Sequence, residues 1–287
     1  MASFTVVYCL QLQYCKVTAM ASKRVQKIIR SLQQKKQREL QAAFLAEGPK
    51  VVGDLLAEGY RARMLVATEG FIEANADNLL KASSVTQQHP EIVVVSEDEL
   101  ASLSLLKHPQ QVMAVFDMPS ADATTERQYD GSTLALALDG VQDPGNLGTI
   151  IRIADWFGIG QLFCSPDTAD CYNPKVVQAT MGSLARVHIS YCQLDHLIEN
   201  LPPDVPIYGT LLDGDNIYEA DLQKGGLLVM GNEGNGISPE LRQRVTHRLL
   251  IPPYPGDRQT AESLNVATAT AICCAEFRRR ITTFHTK

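Results

Sequence analysis

Three short stretches of this 287-residue chain combine glycines with side chains able to bind and orient a polar ligand. The first runs Asp139-Gly140-Val141-Gln142-Asp143-Pro144-Gly145-Asn146-Leu147-Gly148 and continues through Thr149, Ile150 and Ile151 to Arg152. The second is Met230-Gly231-Asn232-Glu233-Gly234-Asn235-Gly236-Ile237. The third leads from Ile251-Pro252-Pro253 to Ala261-Glu262-Ser263-Leu264-Asn265-Val266-Ala267. Glycines after a strand let the backbone approach a ligand and adopt positive φ. Asparagine both donates and accepts, and an arginine fork grips two anionic oxygens at once. None of the three stretches contains a histidine. Taken singly, each also reads as turn and cap chemistry: Asn146 capping the helix that carries Arg152, Ser263 capping the last helix, Glu233 beside the helix after Ile237. No GxGxxG opens a helix and no GxxxxGK[ST] occurs, which speaks against nicotinamide and Walker-type nucleotide sites.

Alternating elements must carry these loops. Apolar strands are expected at Thr133–Leu138, Gln161–Cys164, Arg186–Tyr191, Pro206–Leu211, Leu227–Met230 and Arg248–Ile251. Helices are expected at Leu147–Phe157, near Lys175–Met181, after Ser238, and at Ser263–Arg280. Continuous apolar strands between helices predict an α/β domain with a mostly parallel sheet covered on both faces, and ligands then bind beyond the carboxyl ends of the strands. Upstream, Val25, Ile28, Ile29 and Leu32 recur at helical spacing. Strands follow at Ala43–Ala46, Arg63–Thr68, Glu91–Val95 and Gln111–Phe116, with helices from Pro49 to near Gly59 and over Phe71–Lys81. Ser96 with Glu99 forms a capping box for a further helix. This describes a smaller α/β domain over residues 20–118, a linker over 119–130, and a second domain over 131–287.

The net charge of −6 conceals an uneven distribution. Between Met20 and Lys50 the bases Lys23, Arg24, Lys27, Arg30, Lys35, Lys36, Arg38 and Lys50 face only Glu39 and Glu47. A basic stretch on an acidic body suits nucleic acid, although a solvated helix face gives the same pattern. The seven cysteines form no CxxC pair, so neither a disulfide framework nor a zinc site is expected, and a cytoplasmic location fits. No metal is expected from the six scattered histidines. No apolar run approaches the ~20 residues of a membrane span. Residues 1–19 lack a basic start and a cleavage site; they read either as an extension before a true start at Met20 or as a short strand or tail. Trp156, Phe157, Cys273 and Cys274 are expected to pack, and Arg278, Arg279 and Arg280 to form a solvated helix end.

Together, DGVQDPGNLGTIIRIADWFG, VMGNEGNGI and LLIPP…ESLNVATATAICCAEFRRR resemble motifs 1, 2 and 3 of the SpoU (TrmH-like) RNA 2′-O-ribose methyltransferases of the SPOUT superfamily. RSLQQKKQRELQAAFLAEGPKVV resembles the substrate-binding domain attached to many members, an α/β fold related to RNA-binding ribosomal proteins. The resemblance implies a deep trefoil knot in the catalytic domain, a homodimer, and S-adenosylmethionine held bent in the knot. It implies cofactor contacts at Leu211, Gly231, Asn232, Gly236, Ile251 and Leu264. The matching functional side chains are Asn146, Arg152, Glu233, Ser263 and Asn265, with Glu233 holding a loop or Arg152. RNA contacts are expected from Lys23, Arg24, Lys27, Arg30, Lys35 and Lys36. Ribosomal RNA is the first expected substrate and transfer RNA the second; the alternative is a non-catalytic RNA-binding protein that retains the fold. The stretch from Pro253 to Glu262 is longer than in the shortest members, so no cofactor contact carries over within it.

Overall fold

The computed structural model describes residues 23–86, 89–119, 129–255 and 261–281. The expectations for residues 1–19, and for most of the linker, lie outside the described residues. The chain divides into two compact units. Described residues 23–119 and 172–185 belong to the first, and the remaining described residues to the second.

In the first unit the order is α1 (Lys23–Ser31), α2 (Lys35–Gln41), β1 (Ala43–Glu47), α3 (Pro49–Ala57), β2 (Ala62–Ala67), α4 (Glu69–Thr86), β3 (Glu91–Val94), α5 (Glu97–Leu103) and β4 (Val112–Asp117). The sheet order is β1-β4-β2-β3, antiparallel except for the parallel β2–β3 pair. Val25, Ile29 and Leu32 of the α1 segment are buried in the core against Leu45, Val66 and Met113. The capping box of α5 is present as expected: the Ser96 hydroxyl accepts from the Glu99 amide, and the Glu99 carboxylate accepts from the Ser96 amide. Helix α2 is a correction to the expectation, because its polar text KKQRELQ has no apolar stripe. Arg38 explains it. Its buried guanidinium donates to the Leu32 and Gln33 carbonyls at 2.8 and 2.9 Å, satisfying the end of α1. Residues 172–185, distant in sequence, join this unit. They include the helix α7 (Pro174–Ala179), and the Tyr172 ring lies 4.8 Å from the Phe44 ring.

The second unit contains β5 (Leu134–Leu138), α6 (Pro144–Trp156), β6 (Gln161–Cys164), β7 (His188–Tyr191), α8 (Leu194–Glu199), β8 (Ile207–Asn216), β9 (Gly226–Met230), α9 (Pro239–Arg242), β10 (His247–Leu250) and α10 (Val266–Ile281). The six strands are all parallel, in the order β10-β8-β9-β5-β6-β7, as the continuous apolar strands predict. Strands β5 and β9 are buried along their whole length at the centre. Their carboxyl ends open into the first two loops. Helix α8 was not expected from its short, charged text.

Two further corrections concern side chains. Of the three arginines of α10 only Arg279 is solvent-exposed as expected; Arg278 and Arg280 are engaged by backbone carbonyls. Arg278 donates to the Phe157 and Gly158 carbonyls that finish α6, at 2.6 and 3.1 Å. Arg280 donates to the carbonyls of Ile217, Tyr218 and Ala220. Buried Glu276 holds Arg279 and Arg280, and those hydrogen bonds, Arg279's first, draw its carboxyl down to about 2 against the opposing effect of burial. Trp156, expected to pack, is 84% exposed, because α6 buries Leu147, Ile150, Ile151 and Ala154 and turns Trp156 away from them. Cys273 and Cys274 are buried as expected.

Candidate cofactor and active site

Loop 1 turns at Gly140, whose φ is +69°. Its amide donates to the Ser165 hydroxyl at 2.8 Å. Asp143 then caps α6 by accepting from the Asn146 amide at 2.8 Å, with Pro144 opening the helix. Asn146 is therefore not the cap. It lies inside the first turn, where its carboxamide is available for other partners.

Loop 2 folds back on itself. Asn232 and Gly236 exchange backbone hydrogen bonds, both 2.9 Å, and the Asn232 Oδ1 accepts from the amides of Gly234 and Asn235. A Cβ on Gly231 would meet the Gly236 carbonyl carbon at 2.2 Å, so only glycine fits there. The Asn232 Nδ2 donates to the Gly140 carbonyl at 2.6 Å and ties loop 2 to loop 1. The acid near the following helix is Asp139, which accepts from the Ser238 amide at 2.6 Å. Glu233 is free of that duty.

Loop 3 ends at Asn265, whose Oδ1 accepts from the amides of Ala267 and Thr268. Asn265, not Ser263, is thus the cap of α10, which starts three residues later than expected. Its Nδ2 donates to the Asn146 Oδ1 at 2.9 Å, and the Asn146 Nδ2 donates to the Glu233 Oε1 at 2.8 Å. One chain of side-chain hydrogen bonds, Asn265 to Asn146 to Glu233, locks the three loops together. Glu233 is hydrogen-bonded to Asn146 and not to Arg152. Arg152 is exposed on α6 and makes no hydrogen bond or ion pair among the described residues.

Beside this chain lies a cavity of about 500 Å³. Leu211, Gly231, Asn232, Gly236, Ile251 and Leu264 all line it, as do Glu233 and Ser263. Asn146, Arg152 and Asn265 do not line it. Three further lining residues, Thr210, Leu212 and Asp213, come with Leu211 from an excursion within β8. Strand β10 pairs Arg248 with Gly209 and then Leu249 with Asp215, so Thr210–Gly214 leaves the ladder. The strand returns at Gly214, where a Cβ would approach the Leu249 backbone within 2.6 Å. Sequence spacing missed this excursion, and with it Asp213 and Arg242 of the cavity wall. The pair Asp213-Gly214 was its one visible signal.

The lining fits an adenosyl sulfonium ligand. Its size falls within the usual range of roughly 300–1,000 Å³ for small-molecule sites. Leu211, Met230, Ile251 and Leu264 offer apolar surface, and Leu212 and Leu264 are left 76% and 50% exposed at the mouth. The acids Asp213, Glu233 and Glu262 outnumber the one lining cation among the described residues, Arg242, which favours a positively charged guest.

Of the residues expected to meet RNA, Lys23, Lys27, Arg30 and Lys36 are exposed and form no ion pair among the described residues. Arg24 pairs with Glu91, and Lys35 lies 4.0 Å from Glu39.

Residues 133–275 match the SpoU rRNA Methylase family, and residues 23–114 match the MRM3-like substrate binding domain. The chain is 32% identical over 252 residues to the 23S rRNA (guanosine(2553)-2′-O)-methyltransferase RlmP of Bacillus subtilis, covering 87% of this chain and 94% of that one. Its fold superposes on a TrmH-family protein from Porphyromonas gingivalis with a TM-score of 0.76 at 43% identity, covering 91% and 100% of the two chains. It superposes on the AdoMet-bound rRNA methyltransferase from Sinorhizobium meliloti with a TM-score of 0.79 at 30% identity, covering 94% and 99%. With three interlocked loops beside a cavity at the carboxyl ends of a parallel sheet, and with these relatives, the chain belongs to the SpoU rRNA methylase family.

Proposed function

We propose that this protein transfers a methyl group from S-adenosylmethionine to a ribose 2′-hydroxyl of ribosomal RNA, residues 20–118 capturing the RNA and residues 131–287 carrying the reaction. The observation that carries this reading is the Asn265–Asn146–Glu233 chain beside an apolar, acid-rich cavity, in a relative of rRNA 2′-O-methyltransferases.

The cofactor, when bound, supplies an activated methyl on a sulfonium, so the protein's task is alignment and management of one proton. Leu211, Ile251 and Leu264 provide the apolar walls, and the tight Gly231–Gly236 turn brings backbone groups to the ligand. The hydrogen-bonded chain keeps the loops at a fixed spacing, which confines the approach of the hydroxyl. Arg152 is the motif cation with no hydrogen bond or ion pair among the described residues. An arginine with a pKa above about 12 is a poor base. Its fork instead clamps a phosphate next to the target ribose, and its positive field favours loss of the hydroxyl proton during attack. The exposed cations of α1 follow the RNA backbone, which positions without reading sequence.

Two copies pair, in this reading, through the outer face of α6, where Trp156 stands one turn beyond Arg152; an exposed tryptophan is a typical interface anchor. The trefoil knot and a cytoplasmic location belong to the same reading. Among the described residues no helix is long and apolar enough to cross a membrane.

The test is methyl transfer from isotope-labelled S-adenosylmethionine to unmodified bulk RNA, followed by nucleoside analysis. Label is expected as a 2′-O-methyl nucleoside in the ribosomal fraction. Label in the transfer RNA fraction would change the substrate, and binding of RNA without any transfer would favour a non-catalytic protein.

A further inference from the structure

The wall of the cavity carries a charge arrangement that neither the loops nor the RNA reading uses. Asp213, at the far side of the β8 excursion, accepts on one carboxylate oxygen from both Arg242 at 2.6 Å and Arg248 at 3.0 Å. Arg248 belongs to the edge strand β10, whereas Arg242 ends the short helix α9 and lines the cavity. All three side chains are nearly half exposed, between 44% and 48%. Such pairs are held weakly and exchange partners at small cost. One carboxylate therefore faces two guanidiniums, and Arg248 alone suffices to hold it. Of the two guanidiniums, it is Arg242 that lines the cavity. Every other ionic group lining that cavity among the described residues, Glu233 and Glu262, is an acid. A guest with an anionic group thus finds its match only at the Asp213–Arg242 end.

We propose that Arg242 and Asp213 form an amino-acid subsite, Arg242 taking the α-carboxylate and Asp213 the α-ammonium of the methionine end of the cofactor. The inference rests on the reading of this cavity as the cofactor site. The exchange is balanced in charge: one internal pair is replaced by two pairs across the ligand, with Arg248 keeping Asp213 in place. An arginine fork presents two parallel donors to a carboxylate, which a neutral side chain does not reproduce. Because Asp213 rides on a loop outside the sheet ladder, the subsite adjusts to the ligand without disturbing β8 or β10.

Calorimetric titration of the full-length protein separates this subsite from the rest of the pocket. The probes are S-adenosylhomocysteine, which keeps the amino-acid end, and 5′-methylthioadenosine, which keeps only the thioether nucleoside. Arg242→Gln is expected to weaken S-adenosylhomocysteine about tenfold, or 1.4 kcal/mol, and to leave 5′-methylthioadenosine within about twofold. Asp213→Asn is expected to do the same, and Arg242→Lys to recover part of the loss. Equal weakening of both ligands, or no weakening of either, would overturn the subsite. Should either variant misfold, the wild-type protein decides by comparing S-adenosylhomocysteine with its decarboxylated analogue: about tenfold weaker binding of the analogue supports the subsite, and equal affinity overturns it. A wild-type protein that binds none of these ligands would instead sink the cofactor reading itself.

Discussion

In the loops beyond β5, β9 and β10, Asn146, Asn232 and Asn265 are engaged by another loop or by a helix end, whereas along α1 the cations Lys23, Lys27 and Arg30 face solvent with no acidic partner among the described residues. The loops hold neutral amides and the carboxylates of Asp139, Asp143 and Glu233 in fixed geometry; the helix holds charges on long stems. A reaction that needs two atoms aligned to a fraction of an ångström requires the first arrangement. A grip on a phosphate backbone needs only the second, because counterion release rewards charge and not exact placement. Arg152 combines the two: it stands on a helix among the motif residues, yet its guanidinium makes no hydrogen bond or ion pair among the described residues.

That position gives the largest expected effect. Arg152→Ala should lower kcat by about 10²–10³-fold, the range for losing one charge-stabilising donor, with an unchanged melting curve. A lowered melting temperature would move Arg152 into the structural class. Next, Asn146→Ala removes the central link of the chain while leaving the Asp143 cap in place. Single-turnover rates should fall about tenfold to a hundredfold while RNA affinity holds. An unaltered rate would mean that the interlocking of the loops has no catalytic consequence.

For α1 the expected change is in binding alone. Reversing Lys23, Lys27 and Arg30 to Glu should weaken RNA about tenfold at low salt and flatten the salt dependence by about one unit of slope for each phosphate no longer neutralised. Titration with S-adenosylhomocysteine should be unaffected; an intact RNA affinity would remove α1 from the interface. The smallest effect concerns a charged group with a purely architectural position. Glu276→Gln should destabilise the fold by roughly 1–2 kcal/mol at pH 7, since it removes charge-assisted bonds to Arg279 and Arg280. The Glu276 carboxyl is depressed from 4.5 to about 2 in the folded protein. Its contribution is therefore complete above pH 4.5 and is lost as pH falls toward 2. Urea unfolding of both proteins across that range should show their difference closing; a constant difference would mean that the charge of Glu276 does not stabilise the fold.

Much of this was legible in the chain itself. Continuous apolar runs such as Leu134–Leu138 and Leu227–Met230 specified a parallel sheet, because a strand buried on both faces has no polar alternation. The Ser96–Glu99 box was legible because capping is local, and the resemblance carried by the three motifs named Gly231, Asn232, Gly236, Ile251 and Leu264 of the cavity lining. What the text left open was which of several chemically equivalent residues does each job. Asp143 and Asn146, or Ser263 and Asn265, could each have capped their helices; packing assigned the caps to Asp143 and Asn265 and freed Asn146 to link the loops. Nor does spacing reveal the excursion of β8, the burial of Arg38, the exposure of Trp156, or the carbonyls that receive Arg278 and Arg280. Local propensity and hydrophobic period act over a few residues and set the elements in sequence. The partners of a polar side chain are chosen by whatever the folded chain brings within about 3 Å, and that is decided only in three dimensions.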